Sequence, residues 1–219
     1  TRSIDFPFNF PLASQMVAIL LTGSPGIGKS TIIKSLVRRV RPSIPTIGFV
    51  TLEVVKEGGG RIGFNTVDVS NVNNFVNLAK LTEDLDDDER SVVSDHCLGR
   101  WTVFPEENAA FAEALLSQPP SKPHMVVLDE VGAMQLKFSE PLSTLIRAQF
   151  DKEDCFCLGT LPAKGLHNLP LVEELRANPN AKVFEVKVQI NESDELLRPA
   201  MTTGNTIIAN LIPDALYIP

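Results

Sequence analysis

The chain has 219 residues, of which 43% are hydrophobic and 21% are charged, and it carries a formal net charge of −7 at pH 7. This length and composition favour one folded α/β domain with a substantial core and argue against a disordered, collagen-like or disulfide-bonded chain. The acidic balance argues against a nucleic-acid-binding protein, whose affinity comes from clustered Lys and Arg.

The N-terminal segment and the cysteines indicate the expected setting of the protein. Residues 1–15 are rich in Phe and Pro and are interpreted as a packed extension, since a signal peptide needs a basic end and an apolar middle. No apolar run approaches the roughly eighteen residues that a membrane span requires. Three cysteines leave at least one thiol unpaired, which fits a reducing compartment. We therefore expect an intracellular protein, in the cytoplasm or in an organelle matrix, with no membrane or nucleic acid as a partner.

The first predicted elements are a strand, a glycine-rich loop and a helix. Met16–Leu21 is a continuous apolar run of strand length, as expected for a parallel strand that is covered on both faces. After the loop, apolar residues recur at helical spacing until Pro42, at Ile32, Ile33, Leu36, Val37 and Val40. The loop is therefore placed between a buried strand and an amphipathic helix.

The next two segments are predicted to form an antiparallel hairpin. Ile47–Val55 and Arg61–Val69 have the composition of strands. The segment between them contains Gly58, Gly59 and Gly60, which tolerate the positive φ angles that a hairpin turn needs.

The remaining elements alternate between helices and strands. Pro105 precedes a segment of helical composition, and Ser139 is placed to cap a later helix. In chain order we predict a helix over 106–116, a strand over 125–130, a helix after Ser139, a strand over 155–160, a helix around 171–175 and a half-exposed strand over 184–190. This alternation predicts a layered α/β fold with a mainly parallel sheet and helices on both faces.

Two groups of potential metal ligands have simpler interpretations. The acidic run at 84–89 is typical of a solvated loop rather than of a metal site. Cys155 and Cys157 lie two apart in a strand-like run, so their side chains share a face, and a role in the core is favoured over metal binding.

The glycine-rich loop matches a phosphate-binding motif, because residues 23–30 satisfy the pattern G-x-x-x-x-G-K-[ST] in full. In such a loop the glycines let successive backbone N–H groups turn toward one anion, and the following helix directs its positive dipole end at the same place. Lys29 is expected to reach the β- and γ-phosphates, and the Ser30 hydroxyl is expected to bind Mg²⁺. The predicted nucleotide-binding residues are Gly23, Ser24, Pro25, Gly26, Ile27, Gly28, Lys29, Ser30 and Thr31.

Two carboxylates follow the apolar strand that begins at residue 125. Asp129, at the end of a strand beside the phosphate loop, can hold the hydration shell of Mg²⁺. Glu130, one position further on, can polarise a water molecule for in-line attack. The adjacent pair favours hydrolysis over a kinase reaction. The simpler interpretation is that both residues end a strand and cap a loop.

With both motifs placed, the chain resembles a small nucleoside-triphosphatase family that includes thermophilic enzymes and a human cancer-related member. The resemblance covers roughly residues 17–197, and its blocks are the phosphate loop, 48–54, 60–64, 99–103 and 129–136, the last being the most diagnostic. It implies a P-loop NTPase three-layer fold and slow, Mg²⁺-dependent hydrolysis of nucleoside triphosphates, such as ATP or GTP, with little base preference. It also implies that Lys29 and Ser30 take the phosphate and metal positions, Asp129 that of the metal-associated carboxylate and Glu130 that of the general base.

The chain also departs from this family. Where the family commonly has Lys and Glu, this chain has Ala133 and Gln135, and where the family tends to have Asn-Arg it has Asn191 and Glu192. A missing cation removes a possible stabiliser of transition-state charge. Two alternatives therefore stay open: a nucleotide-binding subunit of a larger assembly whose catalysis is weakened or lost, and a nucleotide or nucleoside kinase, for which no Arg-rich lid is apparent.

The segments that flank the motifs and three further side chains complete the predictions. The P-loop NTPase domain is assigned to residues 16–200, and residues 201–219 are interpreted as an apolar tail that packs on the core or on a protein partner. Arg61 and Arg100 could act near the phosphates, although surface ion pairs are the simpler interpretation. Trp101 could stack on a base, although a half-buried packing role is favoured.

Overall fold

The computed structural model describes residues 18–92, 95–117, 119–120, 123–152, 155–166 and 168–187. The predicted N-terminal extension, the C-terminal apolar tail, and Asn191 and Glu192 lie outside these residues, as does the last part of the strand predicted over 184–190.

Within the described part of the chain, the secondary structure comprises nine strands, six α-helices and one short 3₁₀ turn at Thr82–Asp84. The strands are β1 (Ala18–Thr22), β2 (Thr46–Val55), β3 (Arg61–Asp68), β4 (Phe75–Leu81), β5 (Cys97–Leu98), β6 (Trp101–Val103), β7 (His124–Leu128), β8 (Cys155–Thr160) and β9 (Ala181–Glu185). The helices are α1 (Lys29–Val40), α2 (Asp87–Val92), α3 (Pro105–Leu116), α4 (Ala133–Leu136), α5 (Glu140–Phe150) and α6 (Pro170–Ala177).

All the described strands form one mixed sheet in the order β5-β6-β4-β3-β2-β7-β8-β1-β9. The half from β2 to β9 is parallel, and the half from β5 to β2 is antiparallel. The predicted hairpin is confirmed as β2 and β3, but β4, β6 and β5 continue it, so the antiparallel region is larger than predicted. β5 and β6 are only two and three residues long, which leaves too little period-two pattern to detect in the sequence.

The parallel half is covered on both faces, which gives the predicted three layers. Along β1, Ala18 and Leu20 face a core that contains side chains of α3, α5 and α6, whereas Ile19 and Leu21 face a core that contains side chains of α1. Every residue of β1 and β7 is buried, as their continuous apolar sequences indicate. Full burial of a Leu or Ile side chain stabilises the fold by about 1.5–3 kcal/mol.

Close contact between β2 and β7 requires a glycine at position 48. Gly48 has a φ of +107°, and a Cβ atom on it would lie 2.1 Å from the carbonyl oxygen of Val127. Phe49 therefore pairs with Leu128, and the carbonyl of Phe49 accepts a hydrogen bond from the N–H of Asp129 at 3.2 Å. This pairing brings the residues after β7 beside the middle of β2.

Two helix ends show how local sequence sets the structure. Ser139 caps α5 as predicted, since its hydroxyl accepts a hydrogen bond from the N–H of Leu142 at 3.3 Å. The prediction of a loop over 84–89 was wrong, because α2 begins at Asp87. Asp86 accepts from the N–H of Glu89 at 2.8 Å, and Glu89 accepts from the N–H of Asp86 at 3.3 Å, a reciprocal capping box that starts the helix.

The predicted core role of Cys155 and Cys157 agrees with the structure. Cys155 and Cys157 are buried in the same core, on one face of β8, and neither forms a disulfide bond. Among the described residues, no cluster of His, Cys, Asp and Glu side chains has the arrangement of a metal site. None of the described helices has the length and apolarity that crossing a membrane requires.

Candidate active site

The glycine-rich loop joins β1 to α1 in a conformation that its glycines allow. Gly23, Gly26 and Gly28 have φ angles of +146°, +75° and +99°, which residues with a Cβ atom rarely adopt. Gly28 is the N-cap of α1, and the first turn of that helix carries no acidic side chain. The positive end of the helix dipole and the free N–H groups of its first turn are therefore available to an anion.

The side chain of Lys29 folds back across the glycine-rich loop. Its ammonium donates hydrogen bonds to the carbonyl oxygens of Gly23 at 2.9 Å and Ser24 at 3.0 Å. Partial burial lowers the pKa of Lys29, and the nearby carboxylates of Glu130 and Asp129 oppose that shift. The cation is thus held at the position from which it can meet a phosphate bound in the loop.

Asp129 forms the floor of the site. Its carboxylate is fully buried, and Oδ1 accepts hydrogen bonds from the Ser30 hydroxyl at 3.0 Å and the Thr160 hydroxyl at 2.8 Å. Oδ2 accepts from the N–H of Thr51 at 3.4 Å. Burial raises the pKa of Asp129, whereas these hydrogen bonds and the charge of Lys34 oppose the rise. The structure thereby brings together Ser30 and Asp129, the two residues predicted to bind a metal.

Glu130 has a backbone conformation that is unusual for its residue type. Its φ angle is +63°, the one positive value at a non-glycine residue in the described part of the chain. Such a conformation costs about 1–3 kcal/mol and persists only where the surroundings impose it. Here the N–H of Glu130 donates to the Thr160 hydroxyl at 2.6 Å, which fixes the turn after β7. The strain lies at a residue predicted to be catalytic, as strained residues often do.

The Glu130 carboxyl group opens to solvent at the mouth of a cleft, although the walls of the cleft displace part of its hydration. That burial, and next the charge of Asp129, raise the pKa of Glu130 to about 7. Lys29 and Arg61 lower the pKa, and Glu53 raises it. A carboxylate with such a pKa can accept a proton near neutral pH.

Thr160 is a site residue that the sequence did not reveal. Its hydroxyl donates to Asp129 and accepts from Glu130, so it fixes both carboxylate residues at once. The available signal was its position at the end of β8, since the carboxyl ends of parallel strands meet at one edge of a sheet. The amide nitrogen of Gln135 makes a further contact below the floor, donating to the carbonyl oxygen of Asp129 at 3.3 Å.

Lys29, Ser30, Glu130 and Thr160 border a cleft of about 570 Å³. One side of the cleft is formed by the glycine loop and the start of α1, including the exposed Thr31. Ile27 instead packs on the core beside α1, and its N–H donates to the carbonyl of Ser24 at 3.3 Å. Ala133 lines the cleft, whereas Gln135 is buried below it.

A further part of the lining, which we call the outer wall, is formed by Glu53, Arg61, Phe64 and Trp101. Arg61 forms an ion pair with Glu53 and lies over the ring of Phe64, 5.1 Å from its centroid. Trp101 is half-buried and meets Phe64 edge to face, with 5.0 Å between the ring centroids. This arrangement gives Trp101 the predicted packing role and also exposes it to the cleft.

Comparison with known proteins assigns the chain to a family. The family described as NTPase matches residues 18–199. A cancer-related nucleoside-triphosphatase homolog from Bos taurus is 33% identical over 169 residues, which cover 77% of this chain and 87% of the relative.

Two solved structures share the fold. The solution structure of a human cancer-related nucleoside triphosphatase is 26% identical, with a TM-score of 0.65, and the match covers 92% of this chain and 99% of that chain. The crystal structure of THEP1 from the hyperthermophile Aquifex aeolicus is 25% identical, with a TM-score of 0.62, and the match covers 77% of this chain and 89% of that chain. The predicted P-loop NTPase fold and the resemblance noted in the sequence are therefore confirmed. The chain belongs to the NTPase family.

Proposed function

We propose that this protein hydrolyses nucleoside 5′-triphosphates to diphosphate and phosphate, with Mg²⁺ as cofactor, low base selectivity and slow turnover. The observation that carries the proposal is the convergence of Ser30 and Thr160 on the buried carboxylate of Asp129, with Glu130 beside it at the mouth of the phosphate loop. Relatives whose names describe them as nucleoside triphosphatases support the same activity.

The phosphate loop binds the triphosphate in this mechanism. Backbone N–H groups at the start of α1 and the Lys29 ammonium face the same space, and no acidic side chain lies in the first turn of the helix. Among the described residues, five charged side chains line the cleft, and their charges nearly cancel: Lys29, Lys34, Glu53, Arg61 and Glu130. With the buried Asp129 added, three cations face three carboxylates, so a triphosphate needs a further positive charge to bind.

The oxygen atoms of Ser30 and Asp129 fit a divalent metal ion. A hydroxyl and a carboxylate 3.0 Å apart provide the hard oxygen donors that Mg²⁺ prefers. Because the carboxylate is buried, a nearby positive charge would stabilise its ionised form. Mg²⁺ held by these two residues would neutralise negative charge on the bound phosphates. Thr160 and the N–H of Thr51 orient the Asp129 carboxylate toward that position.

Glu130 acts as the general base for the attacking water. The oxygen of the water forms a bond to the γ-phosphorus as the bond from that phosphorus to the bridging oxygen breaks, and the proton passes to the Glu130 carboxylate. A base with a pKa of about 7 combines a useful unprotonated fraction with a strong driving force for this transfer. The nucleoside diphosphate is the leaving group.

Low base selectivity follows from the loop after β8. Leu161, Pro162 and Leu166 line the same cleft as the phosphate loop, and the carbonyl of Pro162 accepts a hydrogen bond at 2.7 Å from the hydroxyl of Thr22, the last residue of β1. Apolar side chains contact the face of any base without reading its hydrogen-bonding edge. The stacking surface therefore favours no single base.

Slow turnover follows from the departures within the block at 129–136. Gln135 is buried and donates a hydrogen bond to the carbonyl oxygen of Asp129. The difference from the family at position 135 therefore removes no group from the cleft. Ala133 lines the cleft and adds no cation there. The loss of one stabilising cation lowers the rate but leaves the phosphate loop, the metal position and the base in place.

The experiment that tests the proposal is phosphate release from ATP, GTP, CTP and UTP, each with Mg²⁺ and with EDTA. We expect release from all four nucleotides with Mg²⁺, at rates that differ by less than about tenfold because apolar contacts discriminate weakly. EDTA should abolish it. Tight binding without release would instead identify a nucleotide-binding subunit, and transfer that occurs only when a nucleoside or nucleotide acceptor is added would identify a kinase.

A further inference from the structure

The structure separates the two arginines that the sequence could not distinguish. Arg61 lines the nucleotide cleft together with Lys29 and Glu130. Arg100 lies over the ring of Trp101, 5.2 Å from its centroid, and borders a different surface depression beside Glu83 and Arg90. Both arginines stack on aromatic rings, but only Arg61 among these two can meet a bound phosphate.

Two residues of β2, Thr51 and Glu53, connect the floor of the site to Arg61. The N–H of Thr51 donates to Asp129, and Glu53 is two residues further along β2, about 7 Å in an extended strand. Residues two apart in a strand share a face, and both line the cleft. Glu53 holds the guanidinium of Arg61, and the charges of both side chains act on the carboxyl group of Glu130.

The contacts that hold Arg61 are easily exchanged. The side chains of Arg61 and Glu53 are 45% and 53% exposed, and such ion pairs contribute little to stability because water solvates both partners. A phosphate offers the same guanidinium two parallel charge-assisted hydrogen bonds. A triphosphate in the cleft therefore competes favourably with Glu53 for Arg61.

The proposed reaction also needs a cation besides Lys29 at the transferred phosphoryl group. Negative charge spreads over the oxygens of the transferred γ-phosphoryl group in the transition state. Lys29 meets that group from the phosphate loop, whereas Glu130 and Ala133 bring no positive charge to the cleft. The other lysine of the lining, Lys34, donates to the carbonyl oxygen of Thr51 at 3.4 Å. Arg61 lines the cleft from the outer wall and carries the required charge.

We propose that Arg61 is a catalytic residue that leaves Glu53 and binds the γ-phosphoryl oxygens when a nucleoside triphosphate fills the cleft. This inference rests on the proposed hydrolytic function, since it assigns a role within the same reaction. It also explains why Arg61 is stacked on Phe64: the ring keeps the guanidinium at the edge of the cleft while leaving its N–H groups free to change partners.

The test compares Arg61→Ala and Arg61→Lys with Arg100→Ala in steady-state phosphate release. Arg100→Ala is the matched control, because it also removes an exposed arginine stacked on an aromatic ring of the same sheet. We expect Arg61→Ala to lower kcat by about 100-fold or more while KM changes by less than about threefold. Arg61→Lys should retain an intermediate kcat, guanidinium ions added to Arg61→Ala should restore part of the rate, and Arg100→Ala should stay within about twofold of the parent.

A second measurement separates a catalytic role from a structural one. Mg²⁺, ADP and aluminium fluoride together mimic the transferring phosphoryl group, and the fluorescence of Trp101, the single tryptophan of the chain, reports binding at the outer wall. Arg61→Ala should lose the extra affinity for the fluoride complex but keep its affinity for ADP. Thermal unfolding near that of the parent protein would show that the variant is folded.

Several results would overturn the inference. An Arg61→Ala variant that matches Arg100→Ala in kcat, or one that raises KM with kcat unchanged, would show that Arg61 has no special role in the transition state. Suppose that the parent protein releases phosphate, that Glu130→Gln releases none and that Arg61→Ala releases it at the parent rate. In that case this inference fails while the proposed function stands. A parent protein that releases no phosphate from any nucleoside triphosphate would remove both.

Discussion

The floor and the outer wall of the cleft are built in opposite ways. At the floor, Asp129 is fully buried and receives hydrogen bonds from α1, β2 and β8. At the outer wall, Arg61 and Glu53 are about half exposed and are held by one ion pair and one ring contact. The floor is thus fixed before a nucleotide arrives, whereas the outer wall is free to rearrange around it.

This difference predicts different consequences of substitution. Removing one partner of a buried hydrogen bond costs about 1–3 kcal/mol, because the other partner stays desolvated. Breaking an exposed ion pair costs about 0.2–1 kcal/mol. Changes at the floor should therefore affect both stability and turnover, and changes at the outer wall should affect turnover or binding alone.

The largest effect is expected from Asp129→Asn. The amide keeps the shape of the side chain but loses the charge that a metal ion requires, so Mg²⁺-dependent turnover should fall by about 1,000-fold or more. The measurement is phosphate release during a Mg²⁺ titration. Asp68→Asn is the control, since Asp68 is also buried and hydrogen-bonded but lies outside the cleft, and its Mg²⁺ dependence should match that of the parent protein. Normal activation of Asp129→Asn by Mg²⁺ would contradict the assignment of the floor.

The next effect is expected from Thr160→Val, which replaces the hydroxyl with a methyl group. Loss of the contacts to Asp129 and Glu130 should lower stability by about 1–3 kcal/mol and should lower kcat by about tenfold through misplacement of both carboxylates. Denaturant unfolding and phosphate release measure the two effects.

Thr66→Val is the matched control for this change. Thr66 is also buried, and its hydroxyl bonds to Asn108 away from the cleft. It should lose stability but keep kcat. Equal kcat values for the two valine variants would mean that Thr160 has only a structural role.

A smaller effect is expected from Glu53→Gln at the outer wall. The substitution removes a negative charge from the cleft and frees Arg61, so the Kd for the Mg²⁺ complex of a non-hydrolysable nucleotide should fall by about two- to fivefold. Glu174→Gln breaks a comparable exposed ion pair, with Arg147 on α5, and should leave the Kd unchanged. Weaker binding by Glu53→Gln would show that Glu53 supports the bound nucleotide rather than competing with it.

The smallest effect concerns the pH dependence of stability without nucleotide or metal. Because the pKa of Glu130 is raised to about 7 in the folded protein, the folded state holds a proton that the unfolded state has already released. The contribution of this group to stability is therefore full at acidic pH and is lost as the pH rises through 7. The Tm of Glu130→Gln minus that of the parent protein should grow from pH 5 to pH 8 in EDTA. A constant difference would argue against the raised pKa.

The parts of the molecule that were predictable from the sequence are those set by local pattern. The apolar run before residue 22, the glycine motif and the spacing of Ile33 and Leu36 predicted β1, the phosphate loop and α1, because each signal lies within a few residues. Ser139 was recognised as a cap for the same reason. The placement of Asp129 at the end of β7 followed from the apolar run that precedes it.

The parts that were not predictable depend on contacts between distant segments. Thr160 reaches Asp129 only because β7 and β8 pair in one register, and the sequence of β8 gives no sign of it. Arg61 and Arg100 looked alike in the sequence. The pairing of β2 with β3 shifts register after Val54 and Gly63, which places Arg61 opposite Val55, and the Arg61 side chain reaches Glu53 in the cleft. The positions of Thr160 and Arg61 therefore depend on strand pairing rather than on local composition.

The most direct test of the account is phosphate release and nucleotide binding measured together for the parent protein, Glu130→Gln and Lys29→Ala. We predict that Glu130→Gln lowers kcat by about 100- to 10,000-fold while its Kd for the Mg²⁺–ATP complex stays within about threefold of the parent value. Lys29→Ala should lose binding. Undiminished turnover in Glu130→Gln would remove Glu130 as the base. The parent protein could instead bind the nucleotide tightly without turnover, with binding lost in Lys29→Ala. That result would mean that the phosphate loop holds a nucleotide without hydrolysing it.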